Sequence, residues 1–592
     1  MRAEAAFVVQ VGPRGAAGPP PVPEVDAVGL GFAPGGHERT TSHDGRVVLD
    51  VWWGTGRSSG CHRQGDVTTA VAGYAWRRGE PWPPPERWPA LVSGQAERGE
   101  LLGQYVAAQL DDGGTGWVAA DPFGMRCLYR GPSGDPAGDT VVVGSRAALV
   151  AAALAGPGAR PRRRPGPAAW LALLSYNAGD ETGFEGVDVV PVGEHLQLRA
   201  GSPTWVRTNP FVVADDDPLR AEPVAVLADI VLDEVGEALR AALDLPAERH
   251  LIRLTGGKDS RTVLAAALHA GLADRFHFET VGPPDFVDVV IAEELARRYG
   301  LSHETRFLGT RPPEPFADRF RSFVEGTAGL VNGWELSAPP TSADDVVLTG
   351  VCGELLRALR AVPPDRHDEA GAAAFVVAPP PGRLGLLAPG TREALLADLV
   401  GRVAPAADRP RHPLDRLQEV YARSRMRFNR AGPRAELLGT LSLHPLHTPL
   451  AVRAALALDP VLRLDDVLTA AVVARADPAL FSVEVTGGWS DAAHATAREA
   501  GAREPGPTVA ARPPDPARPP EPVPKLMAEV HAVADDRRAL LDDLFADPDN
   551  PAWEVLDRAV ALDALDRYGS LHTQERRELF GAATAVAWLS GA

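Results

Sequence analysis

Lysine is almost absent from this chain: Lys258 and Lys525 are its only two, against an abundance of arginine. Arginine and alanine richness points to a coding bias that removes lysine wherever arginine serves as well, so each surviving lysine is informative by its position. Cysteine is scarce too. Cys61, Cys127 and Cys352 form neither a metal-ligand spacing nor a paired framework, and reduced thiols are expected. No apolar run approaches the roughly 20 residues of a membrane span, and the opening Met1-Arg2-Ala3-Glu4 lacks the pattern of a secretory signal. A cytoplasmic protein with no membrane partner is expected. Positive charge is also in deficit. A formal net charge of -18 argues against a nucleic-acid partner held by phosphate neutralisation, which needs a basic face.

What is present is length and pattern. At 592 residues the chain exceeds one ordinary core, and two or more domains are expected. Roughly the first two hundred residues mix short apolar runs with Gly/Pro turns, as in Val47-Val48-Leu49-Asp50-Val51-Trp52-Trp53 and Thr140-Val141-Val142-Val143-Gly144, which predicts a strand-rich unit. A linker is read over 209–218. Apolar residues at helical spacing follow at Val224, Leu227, Ile230, Val231, Val235 and Leu239, and then a strand at 250–254. Strand and helix alternate from there, with helices over 262–270 and 287–299 and strands at 276–281 and 346–348. That alternation predicts an α/β unit with a parallel sheet covered by helices. A proline-rich connector is read over 511–524, and helices over 526–544 and 553–589. The expected boundaries are 1–211, 218–510 and 511–592.

The chemistry concentrates in Leu254-Thr255-Gly256-Gly257-Lys258-Asp259-Ser260. A buried strand ends in two glycines and a helix follows, so backbone amides of loop and helix terminus converge on a site suited to an anion. Glycine lets the backbone approach phosphate oxygens closely. Thr255 and Ser260 add hydroxyl donors, and Lys258 and Arg261 supply countercharge. Asp259 repels phosphate by itself, so its role is to hold a magnesium ion that bridges phosphates. The spacing is neither that of the Walker loop nor that of the dinucleotide fingerprint.

This loop resembles the S-G-G-x-D-S signature of the ATP pyrophosphatases, which split ATP to AMP and pyrophosphate while adenylating a substrate. Thr280-Val281-Gly282, followed by Asp288, Ala292, Glu293 and Leu295-Ala296, resembles the second strand and helix of class B asparagine synthetases, in which the Val-Gly pair lies against adenine. Val346-Val347-Leu348-Thr349-Gly350-Val351-Cys352-Gly353-Glu354 is similar to that family's second turn, a strand followed by Gly-x-Gly-x-Asp. Here Cys352 replaces the inner glycine and Glu354 the acid. Upstream, 103–129, 143–146 and 182–194 resemble, in order, pieces of the family's glutaminase domain. The resemblance covers roughly 70–460. It implies an N-terminal glutaminase-like (Ntn) αββα domain and a C-terminal adenine-nucleotide α-hydrolase-like domain. It also implies ATP and Mg2+ as cofactors, with Asp259 and Glu354 as metal ligands. The ATP site would be Leu254, Thr255, Gly256, Gly257, Asp259, Ser260, Val281 and Gly350.

Three departures shape the expected activity. A working glutaminase of this family carries a cysteine right after the initiator methionine; here Arg2 stands there and the nearest thiol is Cys61, so no glutamine hydrolysis is expected. β-Lactam synthetases and the macrolactam synthetases of lasso peptides keep such a domain as a scaffold and use an amine already present in the substrate. Val351 cannot accept a proton, so a base must come from elsewhere. The family's transition-state lysine has no clear counterpart, which leaves Lys258 and Lys525 as candidate catalytic cations, along with Arg427 and its neighbours Arg425 and Arg430. The reading is an ATP-dependent amide synthetase acting on a peptide or small-molecule carboxylate and an amine, with a lasso-type precursor peptide and its processing partners foremost. An ammonia- or amine-dependent enzyme on a small carboxylate and a non-catalytic ATP-binding scaffold stay open.

Overall fold

The computed structural model describes residues 5–13, 19–24, 30, 32–54, 60–79, 101–132, 140–306, 316–337, 345–358, 368, 370–371, 374, 384–404, 410, 412–430, 441–502 and 534–591. It is a mixed α/β protein with two antiparallel sheets and one parallel sheet. Among the described residues no helix is long and apolar enough to cross a membrane.

The first half is built on strands, the central ones apolar on both faces. β1 (Ala5–Val11) turns Phe7, Val9 and Val11 one way and Ala6 and Val8 the other, and all are buried. A strand buried on both sides needs partners on both sides. In the first sheet β1 lies between β3 (Val47–Gly54) and β9 (Val141–Gly144), with β2 (Pro34–Thr41), β8 (Tyr129–Gly131) and β10 (Asp188–Val189) completing six strands. The second sheet runs β12 (Ser202–Arg207), β11 (Glu194–Arg199), β7 (Gly116–Ala120), β6 (Leu101–Asp111), β5 (Val67–Arg77), β4 (Cys61–Gln64). Val9, Leu49 and Val143 of one sheet share a core with Ala72, Val106 and Leu196 of the other. The opposite face of the first sheet packs on helix Ala147–Ala155, with Val8, Val142 and Val150 in one cluster.

The parallel sheet has the order β15 (His303–Arg306), β14 (His277–Val281), β13 (His250–Arg253), β16 (Val346–Leu348), β17 (Leu441–Leu443), and every neighbouring pair is parallel. The helices expected at 262–270 and 287–299 are Lys258–His269 and Val287–Tyr299. Helix Val224–Leu243 buries the stripe Leu227, Val231, Val235 and Leu239 beside Ile252, Leu254 and Phe278 of the sheet. Each such side chain stabilises by about 1.5–3 kcal/mol as an upper estimate. Strands β13, β14 and β15 succeed one another towards one edge, whereas β16 and β17 lie on the far side of β13. The order therefore reverses between β13 and β16, and in open parallel sheets the crevice at the carboxyl ends of such a pair is where ligands bind.

The helices after 533 join the core of the first half. Thr573–Ser590 crosses Ala168–Leu174 so closely that a Cβ on Gly581 would stand 2.4 Å from the Leu171 carbonyl oxygen. Its Phe580 meets the rings of Phe316, Phe320 and Trp334 at 6.0, 5.9 and 5.5 Å. Trp588 donates its indole N–H to the Gly183 carbonyl at 2.9 Å and lies 4.2 Å beneath the Arg163 guanidinium.

Candidate functional site

The turns leaving β13 and β16 meet at this reversal. Leu254 is fully buried; its amide donates to the Glu279 carbonyl at 3.0 Å, and its own carbonyl accepts the Thr280 hydroxyl at 2.8 Å. Gly257 then caps helix Lys258–His269 from an extended conformation, without any side-chain cap. The Ser260 hydroxyl accepts the Thr255 amide at 3.1 Å and lies 3.0 Å from the Thr255 hydroxyl, which accepts the Gly257 amide at 3.1 Å. These two hydroxyls bind the loop to itself and set its curvature. The amides of Lys258, Asp259 and Ser260 open the helix, where helical geometry leaves them no internal acceptor.

Close approaches explain Gly256, Gly350 and Gly353. The Thr486 amide donates to the Gly256 carbonyl at 2.9 Å, and the Thr486 hydroxyl donates to Asp288 at 2.6 Å. A Cβ on Gly256 would stand 2.5 Å from that hydroxyl. On the other turn, a Cβ on Gly350 would stand 2.5 Å from the Ser260 nitrogen, and one on Gly353 2.3 Å from the Asp259 carboxyl carbon. Cys352, between them, is buried at φ 79° and ψ -1°. That left-handed backbone favours glycine, and a side chain there costs about 1–2 kcal/mol. Burial raises the Cys352 thiol well above its ordinary range, and the nearby Glu354, Asp121 and Asp259 carboxylates raise it further.

The charged side chains at this place form two pairs. Asp259 accepts two hydrogen bonds from Arg357, at 2.7 Å from Nε and 2.9 Å from Nη2. Lys258 donates to Asp466, and its ammonium lies 5.2 Å from the centre of the Trp489 ring. Glu354 accepts the Tyr421 hydroxyl at 3.1 Å. Burial lowers the Arg357 guanidinium, but its hydrogen bonds to Asp259 and the charges of Asp259, Glu354 and Asp466 more than offset this, and its pKa is raised.

Asp259 and Glu354 have the oxygen donors that the expected magnesium would need. A carboxylate offers roughly four lone-pair positions. Asp259 gives two to Arg357 and Glu354 one to Tyr421, so both keep acceptor capacity for a hard cation. Among the described residues no group of three or more His, Cys, Asp or Glu side chains could hold a metal ion. Two carboxylates with the remaining positions filled by phosphate oxygens and water is the way magnesium is usually held in nucleotide sites.

Two expected cations prove to be placed elsewhere. Arg261, read as countercharge, is fully buried and donates to the carbonyls of Val483 and Glu484, the latter at 2.5 Å. It fastens the segment leading to Thr486, and burial pulls its pKa down to about 9. Arg427, read as a catalytic cation, lies on the π-helix Ala422–Arg430 and points into the first half, where Nε donates to Gly124 O at 2.9 Å and Nη2 to Val190 O at 2.8 Å. It is 1 % exposed and acts as a staple. Arg425 stands 5.6 Å from the ring of Tyr421, the partner of Glu354. The Arg430 side chain, Arg2 and Lys525 lie outside the described residues. Val281 ends β14, half-buried and in register with Arg306, and the next amide, that of Gly282, donates to the Arg306 carbonyl at 3.2 Å.

Sequence reading missed Arg357, Asp466 and Gln418. Arg357 had a signal, since it stands one helical turn beyond Glu354. Asp466 had none that a motif would capture, because it arrives from the start of helix Val467–Ala476 with φ 57°. Gln418 holds the second turn: its Nε2 donates to the carbonyls of Glu354, Leu355 and Arg357 at 2.7, 3.1 and 3.1 Å.

No family model matches this chain, and no curated protein matches it.

Proposed function

We propose that this protein is an ATP- and magnesium-dependent amide synthetase that adenylates a carboxylate, releases pyrophosphate, and couples the adenylate to an amine. The observation that carries the reading is the placement of the T-G-G-K-D-S loop at the reversal of strand order, with the Gly350 turn against its helix. The amides at the start of helix Lys258–His269 receive the pyrophosphate end of ATP. Lys258 contributes positive charge beside them. Asp259 and Glu354 would hold magnesium, which neutralises phosphate charge when bound. Val281, at the end of β14, borders the adenine. On this reading the antiparallel sandwich is a glutaminase-like unit kept as scaffold, and the parallel unit is an adenine-nucleotide α-hydrolase-like domain. The nitrogen comes from an amine of the substrate, and a lasso-type precursor peptide that carries both carboxylate and amine is the substrate class put forward.

Exchange of labelled pyrophosphate into ATP tests this directly. Purified protein with its cognate carboxylate should exchange label and release AMP, and glutamine should produce no glutamate. Absence of both exchange and AMP with a cognate precursor would sink the proposal.

A further inference from the structure

We propose that Arg357 is a catalytic cation of this site, binding the phosphates of ATP and neutralising the pyrophosphate as it leaves. This rests on the adenylation reading and supplies the transition-state cation that the sequence lacked at the expected place.

Three observations carry it. The guanidinium is tied by both ends of its fork to Asp259, a residue of the helix turn that receives the anion. Its backbone is preset, because Gln418, 3 % exposed, grips the carbonyls of Glu354, Leu355 and Arg357 together, and buried Arg463 in turn donates to the Gln418 side-chain oxygen Oε1. Arg357 and Asp259 are also about one quarter exposed, so solvent and a ligand reach the pair. Of the arginines weighed so far, Arg261 and Arg427 spend their N–H groups on backbone carbonyls. Arg357 spends its fork on a carboxylate instead, and a planar guanidinium fits phosphate as well as it fits carboxylate.

In the step itself a carboxylate oxygen of the substrate forms a bond to the α-phosphorus. The bond from the α-phosphorus to the bridging oxygen breaks, and its electron pair stays on the departing pyrophosphate. No proton is transferred. Arg357 donates hydrogen bonds to the oxygen that gains charge and keeps its own protons.

Calorimetric titration of the full chain with magnesium pyrophosphate, magnesium ATP and AMP tests this, using Arg357→Gln, Arg357→Lys and, as a surface control, Arg475→Gln. Arg357→Gln should weaken pyrophosphate and ATP by about tenfold or more, leave AMP unchanged, and slow pyrophosphate exchange by about 10²–10³-fold. Arg357→Lys keeps the charge without the fork and should fall between. It decides the matter if the glutamine variant does not fold. Pyrophosphate affinity within about twofold of the parent in a folded variant would reduce Arg357 to a holder of Asp259 and overturn the proposal. If the unmutated protein binds neither pyrophosphate nor ATP, the adenylation reading falls with it, whereas a defect confined to the variants leaves that reading intact.

Discussion

Cations are handled differently at the strand ends and at the joints between segments. At the joints, Arg427 donates to Gly124 and Val190 and Arg261 to Val483 and Glu484, all of them backbone carbonyls. At the ends of β13 and β16, Lys258 and Arg357 rest on the carboxylates of Asp466 and Asp259. A backbone carbonyl cannot move without moving the chain, and leaving one buried without a partner costs about 1–3 kcal/mol. A carboxylate is different. It keeps spare lone pairs and rotates about its own bonds, so a cation held this way is free to take another anion. The nature of the acceptor therefore separates Arg261 and Arg427, which fasten, from Lys258 and Arg357 at the strand ends.

The sharpest test of that contrast is Asp259→Ala. It should abolish pyrophosphate exchange, by at least about 10³-fold, while the melting temperature stays within a few degrees because the pair is partly exposed. Retained exchange would remove Asp259 from the metal site. Arg427→Ala should do the reverse, costing about 3 kcal/mol in urea unfolding through two orphaned carbonyls and a cavity, with ATP affinity of the folded fraction unchanged. A weakened ATP titration in that variant would erase the distinction. Gly350→Ala sits between the two classes: its Cβ meets the Ser260 nitrogen, so about 2 kcal/mol of stability and ATP affinity should be lost together. The smallest effect is a null one. Cys61, Cys127 and Cys352 are buried, and burial raises each thiol, that of Cys61 to about 12. Iodoacetamide at mildly alkaline pH should therefore leave the native protein unlabelled and modify all three after denaturation.

Sequence made the alternating part of the fold legible because helix and strand periods differ so plainly there. Val287–Tyr299 and Val346–Leu348 fall where periodicity puts them. β15 and β17 were not read: His303–Arg306 is mostly polar, and three residues at Leu441–Leu443 carry too little pattern. The winding of Ala422–Arg430 was likewise hidden. A π-helix has no composition of its own, so the different directions of Arg427, which faces the sandwich, and Arg425, which faces the Tyr421 ring, could not be read. For the site, the loop and the Gly350 turn were readable because close backbone approach demands glycine at fixed positions. Asp466 and Thr486 were not, since they arrive from 200 residues or more downstream of the loop, nor was Gln418, which reaches the second turn from 64 residues beyond Glu354, and no local rule links them to the site.

The crossing at Gly581 has a consequence for how the molecule is made. The last turn of the helix that covers Ala168–Leu174 holds Trp588, whose carbonyl accepts a hydrogen bond from Arg163, 425 positions earlier in the chain. At ribosomal speeds of about 5–20 residues per second, roughly 20 to 85 seconds separate the synthesis of those two residues. Throughout that interval the apolar face around Leu171 and Phe184 has no covering helix of its own. That face therefore stays uncovered by this helix until Thr573–Ser590 has been made.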